Sequence, residues 1–121
     1  MASAEGPRTV RNVHVGTMGW SYEFWKGNFY PKELATSEFL AYYSKHFDTV
    51  EVDSTFYRIP REQTVLNWKE QTTAGFVFAL KFPHVITHVK MLRDCWEETK
   101  VFLERVELLD NKLGPLLLQL L

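Results

Sequence analysis

The chain has a single cysteine, Cys95, in 121 residues and so forms no disulfide within itself. That fits a reducing compartment and sets aside the small disulfide-stapled secreted folds. Long apolar runs are missing too: none approaches the roughly 20 residues needed to cross a bilayer. Met1 to Asn12 lacks the apolar stretch of a signal peptide. A cytoplasmic protein with no membrane contact is the expectation. Charge of one sign is also absent, with 14 Lys and Arg against 15 Asp and Glu. No global field draws the chain to nucleic acid or to an anionic surface, which leaves only a local basic patch for such a role. The sequence has no glycine-rich phosphate loop, no paired-cysteine metal motif and no nucleophile elbow, so the chemistries those motifs mark drop out. Its length suits one domain and leaves no room for a second.

Aromatic residues are plentiful, with 9 Phe, 5 Tyr and 4 Trp. Val13 to Thr17 is a short β-branched run that reads as a first strand, preceded by a tail, residues 1–12, expected to be disordered. Residues 18–35 form an aromatic-rich loop punctuated by Gly19, Gly27 and Pro31. Thr36 or Ser37 caps a helix with Phe39, Leu40, Tyr43 and Phe47 on its apolar face. Thr49 to Asp53 is a second strand, Ser54 to Arg61 a loop, and Glu62 to Thr72 a second helix with Val65 and Trp68 inward. Phe76 to Lys81 is a third strand, followed by a loop to Arg93. Asp94 and Glu97 have the spacing of a capping box. Beyond them Cys95, Thr99, Phe102, Val106, Leu109 and Leu113 mark one helix face. Gly114 and Pro115 stand where a helix stop belongs, and Leu116 to Leu120 is a fourth strand. The order βαβαβαβ implies a parallel α/β sheet buried on both faces.

Polar side chains inside such strands are the informative exceptions. Glu51 and Asp53 share one face of the second strand, Lys81 ends the third, Gln119 lies in the fourth and Thr17 ends the first. All cluster at or near the carboxyl ends of strands, where parallel α/β sheets bind ligands. Buried there, such groups must pair with one another or with a ligand. The plain alternative is a Glu51–Lys81 ion pair that only fixes the interior.

At these residues the sequence resembles the DUF72 (YecE-like) family. The resemblance is carried by Gly16-Thr17-Met18-Gly19-Trp20-Ser21-Tyr22, Trp25, Gly27 and Phe29-Tyr30-Pro31. It continues through Phe47 to Arg58, Phe76 to Phe82, Ile86-Thr87-His88 and Lys112-Leu113-Gly114-Pro115 with Gln119. It implies a TIM-barrel-like fold of which residues 13–121 are the N-terminal half: four strands and three helices. A full member is about twice this length. Two positions depart from the family pattern: Met18 replaces a small residue, and Asp53 stands where Asn is usual. The second places a negative charge beside Glu51 and should raise the pKa of one of the two if both are buried. The family name itself records an unknown function.

The expected function is a TIM-barrel enzyme binding a small polar or phosphorylated substrate at the strand ends. Glu51 and Lys81 would take acid/base roles, with Asp53 and His88 as catalytic partners. A Schiff base on Lys81 is a less favoured variant. Thr17, Trp20, Tyr22, Tyr57, Arg58 and Gln119 are the expected substrate contacts. Arg58 suits a phosphate or carboxylate, or else pairs with Asp53. Trp20 and Tyr22 face the ligand, while the other rings of the loop pack over the mouth. His84 and His88 with Glu51 and Asp53 offer donors for a divalent cation, yet Pro83 precludes a helical chelate, and no metal ligand is assigned. No cofactor is indicated. The alternatives are a nucleic-acid-binding barrel using the aromatic loop with Arg58, Lys81 and His88, a metal-dependent barrel, or a truncated fragment without activity of its own. A lone half would self-associate or pair with the missing C-terminal half, because its sheet edges and one apolar face are uncovered.

Overall fold

The computed structural model describes residues 13–121, and the tail expected over residues 1–12 lies outside the described residues. Four parallel strands form one sheet in the order in which they occur in the chain: β1 (Gly16–Met18), β2 (Thr49–Val52), β3 (Val77–Lys81) and β4 (Leu113–Leu117). The helices between them are α1 (Phe39–Ser44), α2 (Ser54–Tyr57), α3 (Glu62–Gln71) and α4 (Trp96–Val106). This is the β/α order of the expected half-barrel. No helix among the described residues is long and apolar enough to cross a membrane.

Alternation along the strands sorts the two faces. Val50 and Val52 of β2 and Phe78 and Leu80 of β3 are buried, and they pack with Phe39, Tyr43, Val65, Trp68, Phe102 and Val106 of the helices. This ring-rich layer is the core. Val65 and Trp68 are inward as expected for α3, and Phe39, Leu40 and Tyr43 for α1. The opposite face carries Thr49, Glu51, Val77, Ala79 and Lys81, all half-buried. Helices α1, α3 and α4 pack on the face of Val50 and Phe78, while the opposite face is only half-buried and receives just Phe56 of α2 against Lys81, so the expectation of burial on both faces is corrected.

Several boundaries also move. The first strand starts at Gly16, three residues later than expected, because its partner strand begins only at Thr49. The segment after β2 is not all loop, since Ser54–Tyr57 makes one turn of helix. Val85–Val89 likewise makes a π-helical turn within the expected loop after β3. Neither Thr36 nor Ser37 caps α1; they belong to a 3-10 turn, Thr36–Glu38, that leads into it. Asp94 is not the cap of α4. Its φ of 46° is left-handed, Cys95 holds the N-cap position, and no side chain closes that end. The apolar stripe beyond runs through α4 into a 3-10 segment, Glu107–Lys112, so Phe102, Val106 and Leu109 are buried while Leu113 already belongs to β4.

Gly114 and Pro115 therefore lie inside the fourth strand and do not precede it. Phe78 pairs with Leu113 and Leu80 with Leu116, so β4 carries one extra residue and bulges there. A bulge on an edge strand accommodates proline, which has no N–H to give to a ladder. The strand ends at Leu117, which leaves Gln119 exposed beyond it.

Candidate functional site

The C-terminal ends of β2 and β3 are joined by one buried hydroxyl. Thr55, 1% exposed, sits in α2 and places its Oγ1 2.6 Å from the Lys81 carbonyl oxygen and 3.1 Å from that of Val52. Asp53, just past the end of β2, is the N-cap of α2. The clamp fixes the carboxylates of the second strand against the lysine of the third.

Glu51, Asp53 and Lys81 meet on the open side of the sheet. A hydrogen bond shared with Asp53 holds the Glu51 carboxyl above the ordinary glutamate range; burial and the Asp53 charge add to this, and Lys81 pulls the other way. The expectation that an aspartate at position 53 raises its neighbour therefore agrees in direction. Glu51 and Lys81 are not in salt-bridge contact: the ion pairs among the described residues are His14–Asp48, Lys69–Asp110 and Lys90–Glu98. Lys81 instead places its Nζ 4.8 Å from the centre of the Phe56 ring, a cation–π contact. Asp53 Oδ1 is shut off from solvent and has no hydrogen-bond partner. A buried acceptor left open in this way is uncommon, and a donor is what it lacks. In-register pairing puts Met18 opposite Glu51 and Leu117 opposite Lys81, and both are exposed. The charged centre has apolar flanks.

Phe56 gathers the two histidines as well. Its ring centre lies 5.3 Å from that of His84 and 5.2 Å from that of His88. His84 Nδ1 is 2.7 Å from the Phe56 carbonyl oxygen, so this nitrogen carries the proton and donates it there. His88 Nδ1 is held at 2.8 Å by the Thr87 hydroxyl. Among the described residues no group of three or more His, Cys, Asp or Glu side chains converges in a way that would hold a metal ion.

The remaining expected contacts divide. Trp20 and Tyr22 line a cleft of about 160 Å³ together with Gly19, Asp53 and Ser54. Tyr22 is fixed there by donating its hydroxyl to the Met18 carbonyl at 2.5 Å, and Trp20 by an edge-on contact with Trp68. The other rings of the first loop pack on one another: Trp25 on Phe29 and Tyr30, and Tyr30 flat against Phe39 at 4.0 Å. Tyr57 is 72% exposed and Arg58 is exposed, both just outside the mouth. Arg58 does not pair with Asp53. Thr17 is not brought to this site. It shares the face of Val50, where its amide and hydroxyl bond to the Tyr43 hydroxyl at 2.7 and 3.0 Å. Three-residue β1 ends one residue beyond it, so parity gives the open side to Met18.

Sequence reasoning missed Thr55, Phe56 and His84 as parts of this arrangement. A four-residue helix shows no periodicity, so nothing in the spacing marks which side of α2 faces the strands. In the sequence His84 figures only as a metal donor.

A family profile described as "Protein of unknown function DUF72" matches residues 14–121. UPF0759 protein YecE of Escherichia coli is 36% identical over 108 residues, which cover 89% of this chain and 37% of YecE. UPF0759 protein YunF of Bacillus subtilis is 32% identical over 69 residues, 57% of this chain and 23% of YunF. Among solved structures, a DUF72 family protein of Thermotoga maritima superposes with a TM-score of 0.74 at 35% identity, covering 89% of this chain and 44% of that one. A DUF72 family protein of Enterococcus faecalis, 24% identical over 89% of this chain, shares the fold, with a TM-score of 0.68 over 39% of its length. This chain thus spans less than half the length of each of these relatives. With the profile matched across nearly all the described residues and the parallel β/α sheet shared, the chain belongs to the DUF72 family.

Proposed function

We propose that the strand ends of this chain are the acid/base part of an enzyme site that, in a full-length family member, acts on a small polar or phosphorylated substrate. Glu51 is the proton donor, because Asp53 beside it favours its protonated form. Asp53 accepts the shared hydrogen bond and keeps a second, buried oxygen that still lacks a donor. Lys81, parked on the Phe56 ring, is free of any carboxylate and supplies positive charge where negative charge develops. His88 orients the ligand from the third loop, and Trp20 and Tyr22 provide an apolar wall. The observation that carries the reading is the contact of two carboxyls, one with a buried unsatisfied oxygen, next to an unpaired lysine at the carboxyl end of parallel strands.

The test is a panel of phosphorylated and carboxylated small molecules screened by thermal shift against a full-length relative, then repeated with the glutamate of this strand changed to Gln. Turnover of any ligand that stabilises the parent should fall steeply in the variant, because Gln keeps the shape of the protonated carboxyl and cannot transfer its proton. If every ligand and activity survived the change, the acid/base reading would be refuted. The aromatic-loop route to nucleic acid receives no comparable support, because most of its rings are occupied with one another.

A further inference from the structure

A second cleft opens from the first at Ser54 and belongs to none of the residues in the acid/base centre. It has a volume of about 410 Å³ and is lined by Ser54, Arg58, Pro60, Arg61, Thr64 and Trp68. Arg58 and Arg61 of this lining are both exposed, and among the described residues neither guanidinium makes a hydrogen bond or an ion pair. Arginines left without a carboxylate on the same concave surface repel one another and are stabilised by an anion placed between them. Ser54 and Thr64 of the same lining carry hydroxyl donors. Trp68, 9% exposed, is the buried aromatic ring of the lining. Arg61 is also the N-cap of the ten-residue α3, whose first amides point toward negative charge, although the site does not depend on that end.

We propose that this cleft binds the phosphate group of a small phosphorylated molecule as a dianion. Two planar forks and two hydroxyls match the several oxygens of a tetrahedral oxyanion, whereas a carboxylate would occupy one fork and leave the other charge unmet. The shared Ser54 joins the cleft to that of Trp20, Tyr22 and Asp53. A ligand anchored by its phosphate between Arg58 and Arg61 thus extends its remaining atoms over Asp53. This deepens the enzyme reading and rests on it only for the second half of the ligand; phosphate capture by the arginines stands apart.

The experiment is calorimetric titration of the 121-residue chain with inorganic phosphate near pH 8, compared with acetate and with monoanionic dimethyl phosphate. Saturable phosphate binding is expected, with Arg58→Gln and Arg61→Gln each weakening it roughly tenfold, the loss typical of one charge-assisted contact. The double variant should abolish binding, while acetate and dimethyl phosphate bind at least about tenfold more weakly than phosphate. Circular dichroism should be unchanged, since both side chains are exposed. Glu51→Gln should leave phosphate affinity as it is, which separates this result from failure of the acid/base reading. Absence of saturable binding, retention in the double variant, equal affinity for dimethyl phosphate or acetate, or loss of binding in Glu51→Gln would each overturn the proposal.

Discussion

Replacing Thr55 by valine removes a hydroxyl while keeping the shape of the side chain. Thr55 is buried, and its Oγ1 lies between the Lys81 and Val52 carbonyls at 2.6 and 3.1 Å. The hydroxyl has one proton, so one bond of about 0.5–1.5 kcal/mol net is lost. The carbonyl left without a donor in a buried place raises the total to about 1–3 kcal/mol. For a domain of this size that is a fall in Tm on the order of 4–12 °C. Thr55→Ser is the control: it keeps the hydroxyl and deletes one methyl, at a cost of about 0.5–1.5 kcal/mol by analogy with the loss of a methyl elsewhere in a core. Urea and thermal unfolding of the three proteins, followed by circular dichroism, should rank the parent above the serine variant and the serine variant above the valine one. In the Thr55→Val protein the ends of β2 and β3 are no longer tied, so the Glu51 carboxyl should move back toward its ordinary range by carbon-detected NMR titration. In the Thr55→Ser protein it should not. If the valine variant proved as stable as the serine one, or Glu51 titrated identically in both, the clamp would have no such role.

Two further outcomes follow from single side chains. Glu51 has its pKa raised in the folded chain, so the folded state holds more protons than the unfolded one between the ordinary glutamate value of 4.5 and the raised value. Stability from this source is complete below 4.5 and is lost as pH rises through the raised value; Asp53→Asn should flatten that decline, and a pH series of unfolding curves for both proteins that ran parallel would refute it. At Gly114 an added Cβ would fall 2.4 Å from Val77 Cγ1 and 2.7 Å from the Phe78 carbonyl oxygen. Gly114→Ala should therefore cost about 1–3 kcal/mol through overpacking of the β3–β4 seam, seen as a lowered urea midpoint, whereas an unchanged midpoint would mean the bulge relaxes freely.

The sequence made the strand order and the core faces readable, because both rest on periodicity. Val50 and Val52 alternate with Thr49 and Glu51, and Val65 and Trp68 lie one helical step apart, so the buried side of each element follows from spacing alone. The juxtaposition of Glu51 with Asp53 was legible for the same reason. What was not legible depends on where an element stops. Counting along the strands places Thr17 and Gln119 at the mouth, but β1 ends at Met18 and β4 at Leu117, and one residue of shift reverses the face of a strand residue. The Gly114-Pro115 pair illustrates a second limit: it carries the composition of a helix stop, yet the close approach to Val77 and Phe78 requires the glycine and the open edge tolerates the proline. The clamp by Thr55 spans 26 residues of sequence and leaves no local trace.

The succession of strands has a consequence for the order in which the chain acquires structure. Every strand pairs with the one before it, across gaps of about thirty residues, and no pairing waits for a distant segment. Such contacts are moderately local for a parallel sheet, so each β/α unit can dock on its predecessor as it leaves the ribosome. In that vectorial assembly the growing edge is always the newest strand. While β4 is the outermost strand, its bulge and Pro115 interrupt the row of free amides. At that stage the exposed edge is a poor template for a neighbouring nascent chain.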